Sequence, residues 1–286
     1  MKEEKFEIVI KPASGWFDLH LKEVFHYRDL IFLLVKRNFI AQYKQTVLGP
    51  AWAIIQPLLT TVVFTFIFGK VAGLAECGMV PPFLFYMSGN IAWGYFSGCL
   101  TGTANTFTGN SAIMGKVYFP RLVMPISIVL TQLISFFIQF ILFIIIYITY
   151  MFVPGYSVKA APVLIILPLL ILQMAMLGLG FGIIVSALTT KYRDLAMLVT
   201  FGMQLWMYLT PVAYSLSLFN GSRLQMIILI NPMTSVIETF RYILLGADAG
   251  NLNWNYIGFS WINTLVVLII GIVIFSKVEK TFMDTI

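Results

Sequence analysis

From residue 48 onward, long apolar runs alternate with short polar stretches. Runs near 48–69, 83–107, 125–151, 161–188, 195–214 and 256–275 each reach about 20 residues, the length an α-helix needs to cross about 30 Å of hydrocarbon. The pattern predicts an all-α integral membrane protein with six transmembrane helices. Residues 215–254 break the rhythm. The apolar piece Met226–Ile230 is too short to cross, and Asn231-Pro232 interrupts it. Thr234 or Ser235 can cap a second short helix that stops at Gly246. Together these predict an extracytoplasmic re-entrant helical hairpin between spans 5 and 6. Glu238 and Arg241 are three apart on it, so they share a face and can pair. Such a pair fits either a tie to a neighbouring helix or a gate at an exit.

The stretch ahead of the first run has a different character. Residues 28–46 predict an amphipathic interface helix. Lys36, Arg37 and Lys44 fall with Asp29 in an arc of about 100°, and Phe32, Phe39 and Tyr43 lie beside them. Gly49 can end this helix, and Pro50 can open the next. Pro57 predicts a kink in the first span. Trp52 stands where an interfacial anchor would stand. The same pattern also fits a plain juxtamembrane helix whose cations only set orientation. Residues 1–26 are polar and mixed in charge, and read as a cytoplasmic N-terminal arm ahead of one transmembrane domain, 27–286.

Composition settles the class. The chain is 59% hydrophobic and 10% charged, whereas a soluble domain is nearer a quarter charged. The net charge of +6 does not signal nucleic acid, because the cations flank apolar runs. Fourteen of the eighteen lysines and arginines fall in 1–49, 108–124, 189–194 and 276–286, which places both termini in the cytoplasm. Cys77 and Cys99 are the only cysteines and supply neither a disulfide framework nor a metal motif.

The spans carry almost no ionisable residues, whereas ion-coupled carriers place them at membrane depth. His20 and His26 lie in the N-terminal arm and read as surface residues. There is no metalloprotease or nucleophile-elbow motif, so the chain reads as a non-enzyme. There is no phosphate-binding G-x-x-x-x-G-K-[ST] loop either. A transporter of this kind takes its energy from another subunit. Two cytoplasmic loops could meet it: Asn110–Arg121, which mixes apolar side chains with cations, and the tight turn Tyr192-Arg193-Asp194. Exposed apolar residues there suit docking into a partner's groove. They suit a loop lying on the membrane surface as well.

Four motifs in order carry a resemblance. They are Tyr43–Gly49 with Trp52 and Gln56-Pro57-Leu58; Asn110–Lys116 with Phe119-Pro120-Arg121 and Pro125; Tyr192–Leu195 with Gln204, Tyr208, Pro211-Val212 and Tyr214; and Asn231–Thr234 with Glu238, Phe240-Arg241 and Leu244–Gly246. Over roughly 28–277 the chain resembles the ABC-2 type permeases of polysaccharide ABC exporters, which serve O-antigen, capsule and teichoic acid. That family often has a cation just before the tyrosine at position 43; here Gln42 stands there.

The resemblance implies a homodimer with two ABC ATPase subunits. It implies no cofactor in this chain, ATP and Mg being held by the ATPase. It implies export of a polymer linked to a polyprenyl diphosphate, with Lys36, Arg37 and Lys44 receiving the diphosphate. Sugars stack on aromatic rings, so Trp52, Trp206, Tyr208 and Tyr214 are channel candidates. Trp93 and Tyr95 fit either the channel or an interfacial belt. Met114, Lys116, Tyr118, Phe119, Arg121, Tyr192, Arg193 and Asp194 would couple to the ATPase, and Glu238 and Arg241 would sit in the exit hairpin. Two alternatives stay open: an ABC-2 drug or small-lipid exporter, and a membrane enzyme acting on polyprenyl-linked sugars. The enzyme would need convergent carboxylates or histidines, which the sequence does not offer.

Overall fold

A computed structural model describes residues 21–44, 46–74, 78–107, 109, 119–156, 159–190, 192 and 194–282. Among these every regular element is helical: α1 (Leu21–His26), α2 (Arg28–Tyr43), α3 (Trp52–Phe64), α4 (Pro82–Ala104), α5 (Val123–Met151), α6 (Leu167–Thr189), α7 (Leu195–Leu209), α8 (Arg223–Ile230), α9 (Pro232–Leu245) and α10 (Trp254–Phe282).

Four helical stretches are long and apolar enough to cross a membrane: Gly49–Val71, Val123–Met151, Leu164–Thr189 and Trp254–Lys277. The first joins a short turn, α3 and a wider helical turn over Thr65–Val71. Within it Thr61 Oγ1 donates to the carbonyl of Pro57.

The α4 helix is as long as a span, with 23 residues, but Ser88, Gly89, Asn90, Ser97 and Thr101 dilute its apolar character. It occupies the centre of the bundle, packed by α3, α5, α6, α7 and α9. A helix covered by other helices needs no continuous lipid face.

The α6 helix seats between α4 and α10 through glycines. A Cβ on Gly178 would stand 2.5 Å from the Cys99 side chain, and one on Gly182 would stand 2.5 Å from Thr103. Gly180 looks the other way, onto the α10 backbone at Leu268. Small residues permit this backbone approach, which supplies packing where lipid offers no hydrophobic drive. Gln173 Nε2 adds a bond of 2.7 Å to Ser260 Oγ across the α6–α10 seam.

Three boundaries differ from the sequence expectation. The interface helix stops at Tyr43, not 46. Lys44 turns extended, with ψ 135°, and Thr46 Oγ1 takes up the freed Tyr43 carbonyl at 2.9 Å. The fifth apolar run is helical only to Leu209, because Pro211 forces Thr210 out of the helical region, to φ −104° and ψ 141°. The hairpin helix α9 is capped by Asn231, whose side chain accepts from the Met233 N–H, and not by Thr234 or Ser235. Thr234 Oγ1 instead bonds back to the Ile228 carbonyl. α8 and α9 meet at 93°. Gly246 ends α9 at φ +90°, a conformation glycine adopts without strain.

Candidate functional site

A cleft of about 630 Å³ runs between α3, α4, α5 and α7. The α5 helix contributes Gln132, Ser135 and Gln139, which recur at three and seven residues and so share one face. The α4 helix opposes them with Asn90, Gly94, Ser97, Gly98 and Thr101, a stripe of small and polar residues. The two stripes interlock. A Cβ on Gly98 would meet Gln132 Oε1 at 2.8 Å, so the amide lies flat over the α4 backbone. Trp52, Gln56 and Thr60 close the α3 side, and Thr200 and Gln204 the α7 side. Trp93 forms part of the wall.

At one end the wall is completed by Gln42, Tyr43 and Thr46, from the end of α2 and the turn after it. A second cavity of about 300 Å³ shares Gln42 and Gln132 with the first and extends to Asn38 and Asn105. The two cavities adjoin at these side chains. Among the described residues lining either cavity, none is charged.

Two atoms of this wall are unfinished. Asn90 Oδ1 and Ser135 Oγ are buried, with no hydrogen-bond partner among the described residues. A buried polar atom left so costs about 1–3 kcal/mol. Neutral amides and hydroxyls offer both donors and acceptors without net charge. The cleft therefore offers uncharged donors and acceptors beside the exposed indole of Trp52.

The cations of α2 and the turn after it line neither cavity. Lys36, Arg37 and Lys44 are exposed. Ile31, Leu34 and Val35 of the same helix are buried, in a cluster with Phe119, Leu122 and Val123. The Arg37 guanidinium grips Asn38 Oδ1 through Nε and Nη2, at 3.2 and 2.9 Å. Asn38 in turn lines the second cavity, so a cation stands one residue from the mouth.

The sequence-derived aromatics separate. Trp52 lines the cleft. Trp206 stands a layer behind, its ring 6.2 Å from that of Trp93 and edge-on to Phe96 and Phe181. Tyr208 is 55% exposed on the outer surface. Tyr214 packs edge-on to Phe219 beyond the end of α7. Tyr95 is buried against Phe136. Of the coupling candidates, Met114, Lys116, Tyr118 and Arg193 lie outside the described residues. Tyr192 and Asp194 are exposed and Arg121 is half-buried. Phe119 is not the exposed docking side chain expected: it is buried among apolar residues of α1, α2 and α5, a burial that its aromatic area favours.

The α9 helix holds the one fully buried arginine among the described residues. Arg241 Nη1 faces Glu238 Oε1 at 3.9 Å. Its stronger partners are main-chain: Nη1 and Nη2 donate to the carbonyls of Pro211 and Val212. The guanidinium also lies 3.7 Å from the centre of the Phe85 ring, and Gly89 leaves room for it, since a Cβ there would stand 2.5 Å from Nη2. A polar pocket of about 330 Å³ beside it is lined by Glu238, Tyr242 and Asp248.

Sequence reading missed Asn90, Gln132, Ser135 and Gln139. The signal was present as polar residues at helical spacing inside an Ile- and Phe-rich run that otherwise reads as lipid-facing.

A family model for ABC-2 type transporters matches residues 29–245. The chain is similar to an O-antigen export system permease protein, RfbA, of Klebsiella pneumoniae. The two are 29% identical over 257 residues, covering 90% of this chain and 94% of that one. An O-antigen export system permease protein RfbA of Myxococcus xanthus is 29% identical over 225 residues, covering 78% and 83%.

Proposed function

The chain belongs to the ABC-2 type transporter family, and from that premise we propose that it is the membrane-spanning permease subunit of an ABC exporter for lipid-linked polysaccharide. The observation that carries this reading is the uncharged cleft of amides, hydroxyls and indoles along two candidate spans. Sugar hydroxyls pair with amides, and sugar C–H faces stack on Trp52. The relatives named as O-antigen export permeases support the same substrate class.

In this reading ATP and Mg are bound by a separate ABC ATPase, two copies of which serve a homodimer of this chain. The six crossings are the four long apolar helices, the covered helix α4, and α7 with its unwound extension. The bent pair α8–α9 dips in from the extracytoplasmic side as a re-entrant hairpin and narrows the exit. Both termini are cytoplasmic. The diphosphate of the lipid carrier meets Lys36, Arg37 and Lys44 while the sugars enter past Gln42 and Gln132. Cations near a low-dielectric boundary attract phosphate with less screening than in water, and the planar fork of Arg37 suits it. The loops around residues 110–121 and 192–194 receive the ATPase.

Deleting the gene and extracting lipid-linked glycans tests the reading. A polyprenyl-diphosphate glycan should accumulate inside the cell and its polymer should disappear from the surface. Normal surface polymer with no accumulated glycan would rule the export role out.

A further inference from the structure

The two linked cavities restrict which polysaccharide can pass. Their described walls combine Asn38, Gln42, Asn90, Gln132, Gln139 and Gln204 with serine and threonine hydroxyls, and no charged side chain lines either. Lys36, Arg37 and Lys44 are exposed and line neither cavity, with Arg37 turned onto Asn38, which lines the second. Positive charge thus stands at the mouth, and neutral hydrogen-bonding groups line the route inward. We propose that this permease selects uncharged glycans, built of neutral hexoses or deoxyhexoses, and rejects polymers whose repeats carry phosphate or uronate.

This rests on the export reading and deepens it. A neutral sugar entering the cleft exchanges water for the amides and hydroxyls that line it. A carboxylate or phosphodiester loses far more hydration and finds no opposite charge to offset it. Amide donors alone stabilise an anion less than a guanidinium or ammonium does. The penalty recurs with every charged repeat, so even a small cost per repeat becomes a strong filter. The single diphosphate at the lipid end escapes it by staying at the cationic mouth. In a homodimer the second copy adds the same lining.

The test begins with the glycan that accumulates, lipid-linked, when the gene is deleted. Its repeat should carry no phosphate or acid; a charged repeat overturns the proposal. The full complex with its ATPase, in proteoliposomes, is then given that glycan and the same glycan with its primary C6 alcohols oxidised to carboxylates. The oxidised form should move at least about tenfold more slowly. A Gln139→Lys complex should narrow the gap. Equal transport of both forms overturns the proposal, as does an unchanged gap in a Gln139→Lys complex that still moves the neutral glycan. No accumulation and no transport of either form would instead remove the export reading itself.

Discussion

Arg241 Nη2 donates to the Val212 carbonyl at 2.8 Å, bolting α9 to the chain just where α7 has come undone. The bond explains how a non-helical stretch stays buried. Thr210 to Ala213 are almost fully buried, and carbonyls there need partners that helix geometry no longer gives them. One guanidinium serves two of them, and Thr210 Oγ1 accepts from Asn231 Nδ2 at 2.7 Å.

Arg241→Met should therefore destabilise the folded protein by about 3 kcal/mol or more, since two buried carbonyls and Glu238 lose their partner together. Gly89→Ala should give a smaller loss of the same kind, because the new methyl group would occupy the space of Nη2. Thermal unfolding of the detergent-solubilised complex measures both. An Arg241→Met variant as stable as the parent would show that the bolt contributes nothing.

The cleft amides should behave in the opposite way. Asn90→Leu removes an unpaired buried oxygen at the expense of the 3.3 Å bond from Asn90 Nδ2 to Thr61 Oγ1, and Gln132→Leu removes a cleft amide, so unfolding temperature should hold while polymer export falls roughly tenfold. Surface polymer per permease molecule is the readout. Parallel losses of stability and export would make these residues structural.

Reversal of charge at the mouth, Arg37→Glu together with Lys44→Glu, should weaken binding of polyprenyl diphosphate and leave the membrane level of the protein unchanged. The difference should shrink in high salt, as expected for exposed charges. Unchanged lipid binding would reduce these cations to orientation signals.

Topology can be read by cysteine labelling. Tyr156 and Asn220 are exposed in loops assigned to the outside, and Tyr192 in one assigned to the inside. Impermeant maleimide added to intact cells should label Tyr156→Cys and Asn220→Cys but not Tyr192→Cys. Gly250 is unsuitable as a probe, because a Cβ there would run into the Glu238 carbonyl.

Period and length made the long apolar helices legible, and Gly246 marked the end of α9 correctly. The Glu238–Arg241 contact was visible from spacing. The main partners of Arg241 were not, because the carbonyls of Pro211 and Val212 lie about thirty residues away in sequence. Pro211 announced the early end of α7, but the length of the apolar run concealed it. Phe119 looked like a docking residue because a loop phenylalanine reads as exposed until the helices that cover it are in place. Of the aromatic candidates Trp52 does line the cleft, beside amides that the sequence reading did not single out. An isolated Gln in an apolar run carries little signal until Gln132 and Gln139 are placed on one face and opposed by Gly98 and Gly94.

The glycine seats of α6 decide which parts of the molecule can move. Where Gly178 and Gly182 press on α4 and Gly180 presses on α10, backbone meets side chain or backbone with no slack to slide. These three helices form a stator, and any tilt among them would open voids that lipid cannot fill cheaply. The cleft is bounded on one side by α4 of that stator and on the others by α3, α5 and α7. Of these, α7 has the larger share of exposed side chains. The glycine contacts thus hold the wall that bears Asn90 against α6, opposite the walls that carry Trp52 and Gln204.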